Sequence, residues 1–455
     1  MPAGGGAQGG ALPPQPLPAS NDVSDAISSE AGASIYRYPG FLPFLIGRLA
    51  AVCALQIQAV VVAWQVYDAT RDPLSLACVG LAQFIPMLLL LLPAGDLIDR
   101  FDRKRILAVS WAVEALCGAL LLWLSLGDTL NTAAIYAVLA LFGCARAFTG
   151  PTLQSLLPQI VPRERLAAAI AANSMIMRGA TIAGPLFGGG LYALGGGPLS
   201  YALCMAGFLL GLGLLRWVSV RFAEPPKTLE ASAWERFTAG IVFIRSRPIV
   251  LGTISLDLFA VLLGGVVALL PIYAQEVLQV GPEELGALRS AMAIGEVLVG
   301  LWLSVRPFDR HVGLSMFAAV ALFGLANLVF ALSSLFWLSF LALLVAGGAD
   351  MVSMYIRSSL IQFSTPDAMR GRVNAVNMLF IGSSNELGEF RAGSSAAWFG
   401  TVPAAVLGAL CTLTVTGGWM WGFRSLRRVD RFEDASPAVA PEAETAPPRE
   451  GAAAV

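Results

Sequence analysis

The residues of this sequence that could carry chemistry are ionisable side chains inside long apolar segments. Each costs roughly 3 kcal/mol to insert into a bilayer, so each needs an ionic partner or a wet cavity. Acids and bases nearly balance, which favours pairing across a central cavity, although a structural or rim position explains any one of them equally well. The candidates for proton coupling or substrate contact are Arg48, Arg146, Asp257, Asp350, Arg357 and Glu386.

Two of these candidates carry the sharpest pattern, and a third, Asp257, stands apart from them. Asp350 and Arg357 are separated by seven residues, which places them on one helix face. Burial disfavours a charged acid and a nearby base favours it, so an acid under both influences can exchange a proton. A salt bridge that locks two helices is the alternative. Asp257 stands among Leu and Phe, and is either a proton site or the partner of an Arg elsewhere.

Two acidic residues share a face of another apolar segment. Glu386 and Glu389 are three residues apart, and glycines flank them at 382, 388 and 393. Close like charges disfavour double ionisation, which suits proton binding. Alternatively, Glu389 and Arg391 lie at a solvated rim.

Long apolar segments must position all these residues. Of 455 residues, 56% are hydrophobic and 13% are charged, and the mean hydropathy is +0.72. Soluble domains carry roughly twice that charged fraction. Apolar runs near the length that spans a bilayer recur along the chain, so the sequence predicts an all-α, multi-pass membrane protein. Twelve spans are expected, near 41–66, 74–94, 106–126, 131–153, 166–194, 197–217, 249–272, 284–305, 312–333, 335–360, 371–397 and 400–423.

The distribution of basic residues predicts the orientation. Most of the 29 Lys and Arg residues fall in the tails or in loops after even-numbered spans. Because such residues are retained in the cytoplasm, both termini are expected there, in a cytoplasmic (inner) membrane protein. The densest cluster follows the second span, and its candidate gating residues are Gly95, Asp99, Arg100, Arg103 and Lys104.

The longest internal connection divides six spans from six. We expect a disordered tail at 1–37, a first half at 38–218, a central loop at 219–248, a second half at 249–428 and a disordered tail at 429–455. Trp234, Phe237, Ile241 and Ile244 recur at helical spacing in the central loop. This pattern predicts either an interfacial helix on the membrane surface or a tether packed against the bundle.

The two halves echo each other at an offset of about 204 residues. Paired halves of this kind are typical of transporters, with the substrate path between them. The matching pairs are Gly143 and Gly347, Pro162 and Pro366, Asn173 and Asn377, and Gly184 and Gly388.

Several of these patterns resemble the major facilitator superfamily. The cluster at 95–105 resembles the family's gating loop between helices 2 and 3. The run Gly184-Pro185-Leu-Phe-Gly188-Gly189 resembles the antiporter motif of its exporters, and small residues of this kind let helix backbones approach closely. Arg146, four residues before a glycine, resembles the arginine of span 4 to which the family assigns proton coupling.

Two runs in the second half make the resemblance more specific, because they point to one branch of the superfamily. The runs 364–377 and 380–390 look like the enterobactin exporter branch, whose members export siderophores, macrolides or other drugs by proton antiport. The resemblance implies a major facilitator fold and a latch formed by Asp99, Arg103 and Lys104. Two departures are Asp102, where a glycine is usual, and Arg391, where relatives often carry an acid.

The sequence therefore predicts a proton-coupled exporter of siderophores, drugs or other amphipathic small molecules. Uptake of a small polar metabolite is the alternative within transport, and a transport-dead receptor or partner protein is the alternative outside it. No phosphate-binding loop, nucleophile elbow or metal-ligand cluster is present, so neither an enzyme nor a cofactor is expected. The expected partners are a small-molecule substrate, protons and the lipid bilayer, with no nucleic acid, for a monomeric chain.

Overall fold

The computed structural model describes residues 35–127, 131–220 and 233–435, and every regular element within them is helical. The helices of the first half are α1 (Phe41–Thr70), α2 (Pro73–Arg100), α3 (Arg103–Ser125), α4 (Thr132–Ile160) and the run Leu166–Leu215. That run leaves helical geometry at Gly195 and Gly196, and we label its two segments α5 and α6. It therefore supplies the fifth and sixth expected spans.

The second half repeats this order after a short connecting helix. The connecting helix is α7 (Ala233–Ser246), followed by α8 (Pro248–Gly264) and a series of short 3₁₀, α and π helical turns over Val267–Val277. The remaining long helices are α9 (Pro282–Val305), α10 (Val312–Leu332), α11 (Phe336–Ser364), α12 (Asp367–Phe399) and α13 (Thr401–Gly422), and a short α14 (Arg424–Arg427) follows.

Membrane-spanning length and hydropathy confirm the fold class. Ten helical stretches within the described ranges are long and apolar enough to cross a bilayer, and Leu166–Leu215 counts as one of them despite its break. Helix α12 falls outside the ten because acidic and basic side chains interrupt it. With these two accounted for, the all-α architecture of about twelve spans is confirmed.

Side-chain caps fix several helix boundaries. Asp72 accepts hydrogen bonds from the N–H groups of the first turn of α2, and Asn131 accepts one from Ala134 in α4. Asp102 does the same for α3, accepting from the Lys104 and Arg105 N–H groups at 2.8 and 3.3 Å. Asx side chains are favoured at such positions because they satisfy free N–H groups. The aspartate that departs from the family pattern is thus a helix cap.

The internal repeat is visible in how the helices pack. A Cβ on Gly143 would clash with the Gln83 carbonyl of α2, and one on Gly347 would clash with the Met292 carbonyl of α9. Helix α4 therefore approaches α2 in the first half as α11 approaches α9 in the second. Gly184 and Gly388 likewise approach α1 and α8, the first span of each half. The two halves are built alike.

Helix α7 packs against the bundle. Ile244 is buried with Val376 of α12, and Phe237 and Ile241 are partly buried against the same cluster, whereas Trp234 is 62% exposed. This packing agrees with the tether interpretation. Residues 221–232 of the expected central loop lie outside the described residues.

The few described residues of the two expected tails contact the bundle or form helical turns. Ile35–Arg37 forms a helical turn, and the chain remains ordered through Ala435. The Val429 and Asp430 carbonyls accept hydrogen bonds from the start of α10, and the Phe432 ring packs against Tyr355. Apolar and hydrogen-bonded contacts therefore hold a segment whose composition alone looked disordered. Residues 1–34 and 436–455 lie outside the described part.

Candidate transport site

A cavity of about 210 Å³ lies between the two halves. Helices α1, α2 and α4 line it from the first half; the turns after α8, together with α9 and α12, line it from the second. Its charged residues are Arg146, Arg289, Glu386 and Glu389. An interface between pseudo-symmetric halves is where transporters of this architecture bind their substrates.

The two carboxylates lie side by side against α2. A Cβ on Gly80 would lie 3.3 Å from one Glu386 oxygen and 3.7 Å from one Glu389 oxygen, so the glycine leaves room for both. Arg146 and Arg289 are close enough to act electrostatically on both acids. No pair among these four residues makes a salt bridge within 4 Å, and the Arg289 guanidinium donates instead to the Ala59 carbonyl of α1 at 3.4 Å.

Amide side chains complete the polar lining. Gln56, Gln58 and Gln83 border the same cavity. Gln58 is only 2% exposed, and its side-chain oxygen has no hydrogen-bond partner within the described chain. A buried polar atom without a partner costs about 1–3 kcal/mol, which a bound solute or water would recover.

Two predicted cavity residues are instead a structural pair. Asp257 of α8 and Arg357 of α11 form a salt bridge with each other, and their side chains are 9% and 5% exposed. They do not line the cavity. Asp257 thus has the distant arginine partner that the sequence left open as one of its two interpretations, and the placement of both residues in the substrate path stays a prediction.

Asp350 was expected to share a helix face with Arg357, but its electrostatic neighbours are residues of other helices. It lies within electrostatic range of Glu296 and Arg178, which form a salt bridge between α9 and α5. This ion pair joins the two halves, and Asp350 adds a second acid beside it. Arg48, another predicted cavity residue, is buried next to the Met177 sulfur, at 3.4 Å, rather than in the cavity lining.

Arg391 stabilises the break at the end of α8. Its guanidinium donates to the Leu262 and Gly265 carbonyls at 3.2 and 3.4 Å. Such carbonyls lose their helical partners where a helix ends. Arg391 therefore holds the following turns, which carry the cavity residues Val267 and Ala268, against α12.

The antiporter-like glycines close one end of the cavity. We call the end that carries the Phe101–Asp102 turn the basic end, and the end that carries the Arg71–Asp72 turn the opposite end. Towards the opposite end, a Cβ on Gly189 would clash with the Pro282 carbonyl of α9, and one on Gly286 would clash with the Pro185 carbonyl of α5. The Ser290 hydroxyl also donates to the Ile182 carbonyl at 2.7 Å.

The motif's remaining glycine approaches α1. A Cβ on Gly188 would lie 3.1 Å from the Ile57 Cα. The second contact between the halves joins α12 and α2. There a Cβ on Gly393 of α12 would crowd Ala77 and the Pro73 carbonyl of α2. The halves are thus in close backbone contact near the opposite end on both sides of the cavity.

The candidate gating residues are mostly helical. Gly95, Asp99 and Arg100 belong to the last turns of α2, and only Phe101 and Asp102 separate α2 from α3. The expected loop is therefore a tight turn, because Asp102 starts the next helix at once.

Two of the three basic gating residues, Arg103 and Lys104, contact backbone rather than an acid. Arg103 donates to the Ser155 carbonyl at 3.2 Å, and Lys104 donates to the Val218 carbonyl at 2.8 Å. Asp99 is exposed and has no hydrogen bond or salt bridge within the described chain. The three residues border one surface pocket, with no ion pair between them in this conformation.

The site combines predicted residues with others that sequence reasoning misplaced. Arg146 and Glu386 lie in the cavity as expected. For Glu389 the sequence allowed either a proton site or a position at a solvated rim. Its three-residue spacing from Glu386, which places both acids on one helix face, was the pattern that pointed to the cavity. Arg289, inside the expected span 284–305, was not among the predicted site residues. The glutamines carried no signal, because an amide in an apolar segment is common.

Helical halves that repeat, and a cavity between them lined by charges of both signs, are the features of a major facilitator transporter. The chain belongs to the transmembrane secretion effector family of that superfamily, whose family model matches residues 35–452. Curated relatives include the enterobactin exporter EntS of Shigella boydii and of Escherichia coli, each 27% identical over 346 residues. The match covers 74% of this chain and 81% of the relative. The resemblance to that branch is confirmed, and the chain is not an enzyme.

Solved structures agree on the fold. An inward-facing bacterial homologue of the lysosomal transporter Spinster superposes with a TM-score of 0.66 at 16% identity, over 86% of this chain and 98% of its own. An inward-facing bacterial homologue of the iron transporter ferroportin gives 0.63 at 17% identity, over 85% and 99%. A peptide transporter of the POT family gives 0.69 at 13% identity, over 88% and 97%. These likenesses support the fold alone.

Proposed function

We propose that this transporter exports amphipathic small molecules, such as siderophores or drugs, in exchange for protons. The observation that carries the proposal is the cavity between the halves, where Glu386 and Glu389 face Arg146 and Arg289 without a salt bridge. Carboxylates in a cavity that alternates its access can load a proton on one side and release it on the other. The 27% identity to enterobactin exporters supports export and a siderophore-like substrate.

We propose that the basic end faces the cytoplasm, with both termini on that side of the inner membrane. The excess of Lys and Arg there supports this orientation. The glycine contacts at Gly189, Gly286 and Gly393 then close the periplasmic side, so the cavity belongs to a conformation that loads from the cytoplasm. The chain works as a monomer, because both halves of the cavity come from one chain.

The alternation requires contacts that exchange between conformations. The Arg178–Glu296 salt bridge crosses the halves and holds this conformation, and Asp350 lies beside it as a second acid. We propose that protonation among these acids weakens the bridge and permits the halves to rock. Asp99, Arg103 and Lys104 then form the latch in the other conformation, when the basic ends of the halves meet.

The test uses inverted membrane vesicles that have an acidic lumen. Siderophores, macrolides and dyes are added one at a time while lumenal pH and uptake of the compound are recorded. Lumenal alkalinisation together with accumulation of one class establishes proton-coupled export. Accumulation without a pH response excludes protons as the coupling ion, and absence of both responses for the whole panel refutes the proposed function.

A charge-neutral variant sharpens this test. Glu386→Gln removes one cavity carboxylate with little change in volume and is expected to uncouple transport from the pH gradient. Glu433→Gln is the matched control. Glu433 is exposed in the turn Phe432–Ala435, which follows the last helices and does not line the cavity. Equal pH responses in both variants would remove Glu386 from the coupling mechanism.

A further inference from the structure

The cavity between the halves contains charges of both signs, and none of them is neutralised by direct contact. Two carboxylates, Glu386 and Glu389, and two guanidinium groups, Arg146 and Arg289, line about 210 Å³. Direct salt bridges occur elsewhere in the described spans, as between Asp257 and Arg357, so this bundle can pair its charges. The cavity residues are held apart, which leaves both kinds of charge available to a solute.

We infer that the transported substrate is a zwitterion, with a cationic group for the two carboxylates and an anionic group for the two guanidinium groups. This inference rests on the proposed function, because it assumes that the substrate passes through this cavity. Without a solute the two acids and the two bases act on one another across the cavity. A purely cationic solute would compete with Arg146 and Arg289 for the carboxylates and leave the arginines without that balance, and a purely anionic solute would do the same to Glu386 and Glu389. An uncompensated charge at low dielectric is strongly unfavourable.

The uncharged part of the lining agrees with a polar solute. The Gln58 side-chain oxygen is buried without a partner, and it accepts a hydrogen bond from a solute N–H group. Gln56 and Gln83 add further amides on the same side. An apolar drug would leave these groups unsatisfied, and sites built to hydrogen-bond a solute reject analogues that lack the bonding group.

The zwitterion also explains how substrate and proton can exclude each other. The charged groups that face the two carboxylates are Arg146 from α4 and Arg289 from α9. Helices α1 and α2 contribute amides and apolar side chains, the turns after α8 contribute apolar residues, and Arg391 of α12 is directed to the α8 carbonyls. A cationic group on the carboxylates therefore competes with the proton. By linkage each lowers the affinity of the other, which is the requirement for antiport.

The experiment is a binding titration with four solutes that share one skeleton. The probes are glycyl-phenylalanine, its C-terminal amide, its N-acetyl derivative and the form with both caps, which are zwitterionic, cationic, anionic and neutral. Binding to the purified full chain in lipid nanodiscs is measured by calorimetry at pH 7. We expect the zwitterion to bind at least tenfold more tightly than each capped form, with release of protons on binding.

Variants assign this preference to the cavity. Glu389→Gln is expected to remove the advantage of the zwitterion over the anionic form, and Arg289→Gln is expected to remove its advantage over the cationic form. Glu433→Gln is the control and should bind all four solutes as the unmodified chain does. Equal affinity for charged and neutral forms, or preference for a singly charged form, overturns the inference, as does absence of binding by the whole set.

The inference and the proposed function fail in different ways. A chain that exports dyes against a pH gradient but shows no preference for the zwitterion is an exporter with another substrate class. A chain that prefers the zwitterion but moves no solute in vesicles has the binding site without proton-coupled export.

Discussion

The Asp257–Arg357 salt bridge is expected to stabilise this fold without taking part in transport. Both side chains are almost fully buried, and their chain neighbours Leu256 and Ile356 belong to a buried apolar cluster. Asp257→Asn removes the negative charge and keeps the volume, which leaves the Arg357 guanidinium uncompensated in the bundle. Breaking a buried pair from one side costs about 3–5 kcal/mol.

The double variant separates the charge from the packing. In Asp257→Leu with Arg357→Met both charges are absent, so neither group has to be desolvated. Replacing a buried pair by apolar residues of similar volume is often neutral or stabilising by about 1–4 kcal/mol. We therefore expect the double variant to be at least as stable as the unmodified chain, although each single change is strongly destabilising.

Unfolding by a denaturing detergent in mixed micelles measures these free energies. Tryptophan fluorescence reports the transition, and Trp419 is a local reporter because its indole N–H donates to Ser255 of α8 at 2.9 Å. Asp309→Asn is the control, since Asp309 lies exposed between α9 and α10, and its change should stay within about 0.5 kcal/mol. A cost below about 1 kcal/mol for Asp257→Asn, or loss of pH-driven efflux in a stable double variant, would refute a purely structural role.

Four further perturbations test other parts of the structure. Gly189→Ala should weaken closure of the opposite end and raise cysteine labelling from that side, whereas Gly190→Ala, which has open space around its Cα, should not. Arg391→Ala removes the hydrogen bonds to the α8 carbonyls that hold the following turns against α12. It should therefore lower the free energy of solute binding more than the free energy of unfolding, and an unchanged affinity would contradict this. Burial would raise the pKa of Asp72, but hydrogen bonds from a serine hydroxyl and two backbone N–H groups outweigh it and lower the pKa. This cap therefore stabilises the fold above the unfolded pKa of about 3.9 and loses its effect as the pH falls through the lower folded value. The variant Asp72→Ala should be about 1 kcal/mol less stable at pH 7 and indistinguishable at strongly acidic pH, as thermal melting across pH would show. Asp350→Asn should abolish proton-coupled efflux at normal membrane abundance, and efflux at the original rate would exclude Asp350 from coupling.

Hydropathy was sufficient for most of the fold. Long apolar runs must cross the bilayer as helices, because lipid offers no partner to a free backbone group. Helix α12 is the exception, since its acids and bases lower its hydropathy below that of its neighbours. The sequence analysis nevertheless included it among the twelve apolar runs, at 371–397. Helix ends were less predictable, because caps such as Asp72 and Asp102 act through local hydrogen bonds.

The site was only partly predictable because pairing is a tertiary property. Asp257 and Arg357 are a hundred positions apart in the chain, and nothing in the sequence brings them together in preference to Asp350 and Arg357. The helix face shared by Asp350 and Arg357 is real, but seven residues also span two turns of axial distance. Asp350 therefore has Glu296 and Arg178 as its electrostatic neighbours.

The energetics of the charged residues argue that the cavity is wet or occupied in the working protein. Within the described spans, Asp257 and Arg357 are deeply buried and neutralise each other. The four charged cavity residues lack such partners, and at roughly 3 kcal/mol each their combined insertion cost would match the whole stability of a typical protein, about 5–15 kcal/mol. A dry cavity of this kind would be disfavoured against any arrangement that paired the charges. Water or a solute in the cavity would lower this cost beyond what the two acids and two bases gain by acting on one another across it, and a solute that brings both signs of charge compensates both kinds at once. The same unpaired charges that would destabilise an inert bundle are what a transporter needs to bind a substrate and release it again.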